Sequence, residues 1–190
     1  MSDEKRTHRS IISSLEKSLD EKKYETEEHV ERIGDLALLI GKDLNLSKDK
    51  LNDLIMLAAL HDIGKIAVAD SIILKPGKLS PQEWEMVKKH PEVGYRIAKS
   101  SVNLAAIADA ILTHHENWDG SGYPEGIKGS QIPLISRIIS IVDSYDAMTN
   151  DRPYRKALTR ESAVAELRRC SGIKYDPKLV EVFLKIVNGN

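Results

Sequence analysis

The chain is poor in cysteine and in aromatic residues: Cys170 is the only cysteine, and two tryptophans, six tyrosines and one phenylalanine are spread over 190 residues. One cysteine closes no internal disulfide, which fits a reducing compartment, and the expected location is cytoplasmic. Long hydrophobic runs are also missing. The longest purely apolar stretch, Leu54 to Leu60, has seven residues, whereas a membrane span needs about 20. The polar start Met1-Ser2-Asp3-Glu4-Lys5 has no apolar signal-peptide core. Charge of one sign is lacking too: 28 basic residues against 29 acidic ones leave a net charge of −1. That balance disfavours a DNA or RNA polymer as partner but leaves a local anion site open. With 41% hydrophobic residues and no low-complexity tract, the chain has the means to bury a core as one folded domain.

The apolar residues are arranged in helical periods. Val30, Ile33, Ala37, Ile40 and Leu44 step by three or four, as do Leu51, Leu54, Ile55 and Ala58, then Ile135, Ile138, Ile139 and Val142, and Val180, Phe183, Leu184 and Val187. Ser80-Pro81-Gln82-Glu83 reads as a capped helix start, with Asp176-Pro177 and Thr159 as further starts. No strand alternation and no internal repeat is found, so the expected fold class is all-α. Loops gather at 74–79 and 117–133, the second crowded with Gly120, Gly122, Pro124, Gly126, Gly129 and Pro133. Residues 1–23 carry a thin stripe of Ile11, Ile12, Leu15 and Leu19 on a charged background. This segment is either a helix on its own domain or a coiled-coil connector from an upstream sensor. The expected division is therefore a connector at 1–23 and one domain at 24–190.

Six histidines stand out: His8, His29, His61, His90, His114 and His115. His61 is followed by Asp62, and His90 precedes Pro91, where a helix boundary is expected. Imidazole with carboxylate suits borderline divalent metals. Adjacent His114 and His115 point about 100° apart on a helix, so both serve metal only if metals straddle them or the helix ends there. Paired metals of that kind hydrolyse phosphodiesters. Asp143 lies between apolar neighbours on its helix, where an unpaired carboxylate is costly. Several other residues read two ways. Gly64-Lys65 is a cation beside the metals or a helix-ending glycine and a solvated lysine. Glu25, one turn before His29, is a ligand or part of a solvated face. Trp118 and Tyr123 stack on a planar base or anchor their loop, and Arg152 and Arg155 bind phosphate or form a basic turn.

In chain order these segments resemble the HD-GYP family, a branch of the HD-domain metallohydrolases. The resemblance rests on His61-Asp62-Ile63-Gly64-Lys65, Lys75-Pro76-Gly77-Lys78-Leu79, His90-Pro91, His114-His115-Glu116, Asp119-Gly120-Ser121-Gly122-Tyr123-Pro124, Ile132-Pro133, and Asp143 through Asp151-Arg152-Pro153-Tyr154-Arg155. It implies a compact helical bundle of the HD-domain type and hydrolysis of cyclic di-GMP at two or three divalent metal ions, iron foremost and manganese next. The implied ligands are Glu25, His29, His61, Asp62, His90, His114, His115 and Asp143, with Glu25 the extra carboxylate of a trinuclear site. Asp62, bridging metals, and Lys65, a candidate acid for the leaving oxygen, form the implied catalytic pair; Lys65, Tyr123, Arg152 and Arg155 form the substrate set. The implied reaction is in-line attack by a metal-bridging hydroxide, giving pGpG and onward GMP. Val68-Ala69-Asp70 departs from the family's Ile-Pro-Asp without touching a ligand. Hydrolysis of 3′,3′-cyclic GMP-AMP, or a receptor or scaffold without turnover, are the alternatives. A homodimer and an upstream sensor domain are compatible with the reading.

Overall fold

The computed structural model describes residues 26–151 and 156–189. Its main elements are α1 (Glu27–Asp43), α2 (Lys48–Leu60), α3 (Asp70–Ile73), α4 (Pro81–Val87), α5 (His90–Lys99), α6 (Ala108–Thr113), α7 (Leu134–Thr149), α8 (Arg160–Arg169) and α9 (Pro177–Asn188). Short 3₁₀ turns occupy Ile63–Ala67, Ala105–Ile107 and Gly129–Gln131. There is no strand among the described residues, apart from an isolated Ser171–Tyr175 bridge. The all-α expectation is met. The connector expected at 1–23 lies outside the described residues, as do Glu25, Arg152 and Arg155.

Helix starts follow the capping chemistry written in the sequence. Thr26 accepts the His29 backbone N–H at the head of α1, and Ser47 does the same for Lys50 at α2. At α4 the Ser80 hydroxyl accepts the Glu83 N–H while the Glu83 carboxylate accepts the Ser80 N–H, a complete capping box. Thr159 caps α8 by accepting the Ser162 N–H, and Asp176 caps α9 by accepting the Lys178 N–H, each without the reciprocal bond.

The helices bury the stripes that their periodicity marks, except for Ile55 of α2, which is 43% exposed. Ile33, Ala37 and Ile40 from α1 meet Leu54, Leu57 and Leu60 from α2 and Ile138, Ile139 and Val142 from α7, all fully buried. Each large aliphatic side chain removed from water contributes about 1.5–3 kcal/mol. Phe183 of α9 closes one end of the core against Tyr145. Arg137 on α7 ties α9 down: its guanidinium bonds the Asp176 carboxylate at 2.6 Å and the Ile132 carbonyl at 2.9 Å. The packed trio of α1, α2 and α7 forms the floor on which the site is built, and the α5–α6 pair forms its wall. No helix among the described residues is long and apolar enough to cross a membrane.

Candidate metal centre

The first part of the site forms where α2 stops. His61 caps α2, Asp62 follows in a turn, and the 3₁₀ turn from Ile63 carries the chain directly against α5. Gly64 makes that approach possible. A Cβ at this position would lie 1.8 Å from the His90 carbonyl oxygen and 2.6 Å from the Gly94 nitrogen. Close backbone contact explains this glycine, and it is not a left-handed helix cap. The contact brings the Asp62 turn beside His90, the first residue of α5. Helix α6 ends at Thr113, so His114 caps it and His115 lies beyond. The adjacent histidines converge because the helix terminates between them.

Two donor groups result. One ligand atom each from Asp62, His90, His114 and His115 lie within 4.8 Å of one another, and the same holds for His29, His61 and Asp143. Asp62 stands between the groups. Its Oδ1 is 2.9 Å from His90 Nε2 and 3.9 Å from His114 Nε2, while its Oδ2 is 3.5 Å from His61 Nε2 and ion-pairs with Lys65 Nζ. In the second group His29 Nε2 is 3.6 Å from Asp143 Oδ1.

Hydrogen bonds behind the rings set their orientation. Nδ1 of His61, His90 and His114 lies 3.0, 2.8 and 2.6 Å from the carbonyl oxygens of Ala58, Val87 and Ile111. A carbonyl only accepts, so Nδ1 carries the proton and, in the neutral ring, the Nε2 lone pair faces the site. Burial drives the His61 and His114 pKa values down and takes His115 to about 3, which keeps these rings neutral and able to ligate. His90 Nε2 and His114 Nε2 lie 3.3 Å apart beside the Asp62 carboxylate. Converging lone pairs and a carboxylate repel one another unless a cation lies among them. The donor set therefore fits divalent metal ions, with imidazole and carboxylate the ligands such ions take.

Asp146 is the outer support that the sequence reading missed. Its Oδ2 is 2.7 Å from His29 Nδ1, and its two oxygens also receive Arg32 at 2.5 and 3.1 Å. Burial alone would raise this carboxyl, but hydrogen bonds from His29 and Arg32 reverse that and hold it below the ordinary value. Asp146 lies one turn beyond Asp143, the signal that could have found it.

Glu116 precedes the glycine-rich loop, and its role is the second that the sequence reading missed. Its buried Oε1 accepts the backbone N–H groups of Glu125 at 2.7 Å and Gly126 at 3.0 Å, clasping the loop closed. Gly122 crosses inside the clasp, where a Cβ would sit 2.3 Å from the Asn117 nitrogen. The loop stacks Tyr123 on His115, with ring centroids 4.9 Å apart and planes 26° apart. Burial, with the Asp62 and Asp143 charges, raises the Tyr123 pKa and keeps the phenol protonated as a donor. Trp118 belongs to the scaffold: its backbone N–H bonds the Lys174 carbonyl at 3.0 Å and its ring carries the Arg137 guanidinium at 5.6 Å. Of its two readings, anchoring is the one its surroundings support.

The HD-domain family profile matches residues 13–179. The chain belongs to the HD-domain family. Its relatives, together with the His-His-Glu and Gly-Tyr-Pro segments, place this HD domain in the HD-GYP branch. A cyclic di-GMP phosphodiesterase of Thermotoga maritima is 44% identical over 85% of the chain and 45% of its own length. The cyclic di-GMP phosphodiesterase response regulator RpfG of Xanthomonas campestris is 38% identical over 97% of the chain and 50% of its own length. A 3′3′-cGAMP-specific phosphodiesterase of Vibrio cholerae is 37% identical over 97% of the chain and 36% of its own length. The HD domain thus spans half or less of the length of these relatives. Among solved structures, a cyclic GMP-AMP phosphodiesterase from V. cholerae superposes with a TM-score of 0.69 at 25% identity, covering 94% of this chain and 48% of that one.

Proposed function

We propose that this HD domain is a divalent-metal-dependent phosphodiesterase that opens a cyclic dinucleotide, with cyclic di-GMP the first substrate. The carrying observation is the pair of adjoining donor groups, Asp62-His90-His114-His115 and His29-His61-Asp143, with Asp62 facing both. In this reading Asp62, His90, His114 and His115 would hold one ion and His29, His61 and Asp143 a second, with Asp62 facing both sets and Glu25 the carboxylate for a third. Iron is the first candidate and manganese the second. Bound ions supply Lewis acidity toward phosphate oxygens and lower the pKa of water toward neutrality.

The chain's own residues supply positioning and charge. The i−3 carbonyls and Asp146 hold the imidazoles in one tautomer, so no reorganisation is needed as charge develops. Lys65 Nζ, seated on the Asp62 carboxylate, offsets negative charge on the phosphoryl oxygens. Hydrolysis adds water to phosphorus and breaks its bond to the ribose 3′ oxygen, which takes a proton from Lys65 or from a water at the site. Tyr123, kept protonated, donates to a phosphate oxygen. Arg152 and Arg155 extend the phosphate contact, and the products are pGpG and then GMP.

The test is product chromatography with cyclic di-GMP for wild type and Asp62→Asn. The variant should lose more than the ~100-fold that losing an outer-shell support costs, together with its bound metal. Full metal content and full turnover in Asp62→Asn would overturn the assignment. The second reading, 3′,3′-cyclic GMP-AMP as preferred substrate, is favoured by the V. cholerae relatives named for that molecule. The ratio of kcat/KM for the two dinucleotides decides between them. A homodimer and an upstream sensor domain complete the proposed partners, and light scattering tests the dimer.

A further inference from the structure

Helix α4 is short, yet it is held at both ends. At its head, the Ser80–Glu83 capping box is reinforced by Lys75, whose Nζ reaches both Glu83 oxygens at 2.8 and 2.7 Å. At its foot, the Val87 carbonyl accepts the Nδ1 proton of His90, a member of the first donor group. This frame gives a role to Lys75, which the reaction itself leaves without one. One turn before Val87 stands Trp84, a residue left 46% exposed, a costly position for the largest side chain on the helix.

The surroundings of Trp84 are specific. Its ring lies edge-on to Tyr123, with centroids 6.4 Å apart and planes at 78°. Tyr123 in turn stacks on His115 at 4.9 Å. A continuous row of rings therefore runs from the donor group to the surface, ending in an exposed indole on an anchored helix. A cyclic dinucleotide presents two planar purines flanking its phosphates, and stacking on an aromatic face is the chemistry that recognises a base of any sequence.

We propose that Trp84 is a substrate-binding residue that stacks one purine base of the cyclic dinucleotide while its phosphate lies at the donor groups. This inference rests on the phosphodiesterase reading and names the base subsite of that site. Trp118, the tryptophan nearer the histidines in sequence, is committed to Arg137 and the 173–174 backbone and takes no part.

The experiment uses the manganese-loaded chain as wild type, Trp84→Ala, Trp84→Phe and Trp118→Phe. In steady state with cyclic di-GMP, Trp84→Ala should raise KM about tenfold with kcat within about twofold, and Trp84→Phe should recover most of the loss. Metal content and melting temperature should match wild type. On rapid mixing with cyclic di-GMP, Trp118→Phe, which retains Trp84 alone, should show quenched emission, and Trp84→Phe should not. An unchanged KM in Trp84→Ala together with no quench of Trp84 overturns the platform and leaves the phosphodiesterase reading intact. A fall in kcat with lost metal or lowered melting assigns Trp84 a purely structural role and also overturns it. Quenching of Trp84 in a chain that turns over no cyclic dinucleotide supports the platform while removing the hydrolase reading.

Discussion

Asp146 shows how much of a metal centre lies behind its ligands. A ring that ligates through Nε2 needs its Nδ1 proton held, and for His29 the holder is a buried carboxylate itself paired with Arg32. Replacing Asp146 with Ala removes the tautomer lock and leaves Arg32 without its carboxylate. We expect metal affinity or turnover to fall about 10–100-fold, read by metal titration of the purified variant, with Asp146→Glu recovering part of it. Wild-type affinity in Asp146→Ala would show that His29 is oriented by its helix alone. Asp146 and His29 are 117 residues apart, so no local pattern joins them. His61, Asp62, His114 and His115, by contrast, advertise themselves as adjacent pairs. Residue-scale legibility follows sequence proximity.

At the scale of elements, Gly64 and the Glu116 carboxylate set the geometry. Gly64 lets the Asp62 turn lie on α5, and a methyl group there would push the His90 carbonyl away. Gly64→Ala should cost more than about 3 kcal/mol in denaturant unfolding, and an unchanged midpoint would mean that α5 yields without penalty. Glu116 acts on the loop from 117 to 126 through two backbone N–H groups. Glu116→Ala frees the loop and displaces Tyr123, so KM for the dinucleotide should rise several-fold while metal content holds. Glu116→Gln keeps an acceptor oxygen and should retain most of the activity. Equal damage from both substitutions would point to the charge instead of the clasp. The helices themselves were readable: α1, α7 and α9 turn inward the stripes their spacing marks, and α2 does so for all but the exposed Ile55. The loop was readable as a loop, but which of its rings faces the site was not. That choice depends on the tether from Trp118 and Asp119 to Lys174 and Ile173, more than fifty residues on. Trp84 was hidden for the same reason, since only the folded loop brings Tyr123 to it.

For the whole molecule, the buried imidazoles tie stability to acidity. In the metal-free fold, burial holds His61 and His114 below 6.5 and His115 near 3. The unfolded chain therefore takes up protons first as pH falls below about 6.5, and folding stability declines from there toward pH 3. Metal-free protein should show a lower denaturant midpoint at pH 5 than at pH 7.5, and equal midpoints would contradict neutral buried rings. Bound metal stabilises the fold by mass action and should raise both midpoints. The bundle was legible because helical period is a local signal, whereas the seven donors His29, His61, Asp62, His90, His114, His115 and Asp143 came as a set from the family resemblance, and the fold brings them together in two groups. Glu25, Arg152 and Arg155 lie outside the described residues, and their roles remain those the resemblance implies.

Metal reconstitution tests the central claim most directly. Chelated protein is titrated with manganese or, under anaerobic conditions, with ferrous iron, and cyclic di-GMP hydrolysis is followed at each addition. Turnover should be absent at the start and should rise with bound ion to a plateau at two or three per chain. Undiminished hydrolysis by protein shown by elemental analysis to be metal-free would contradict the account.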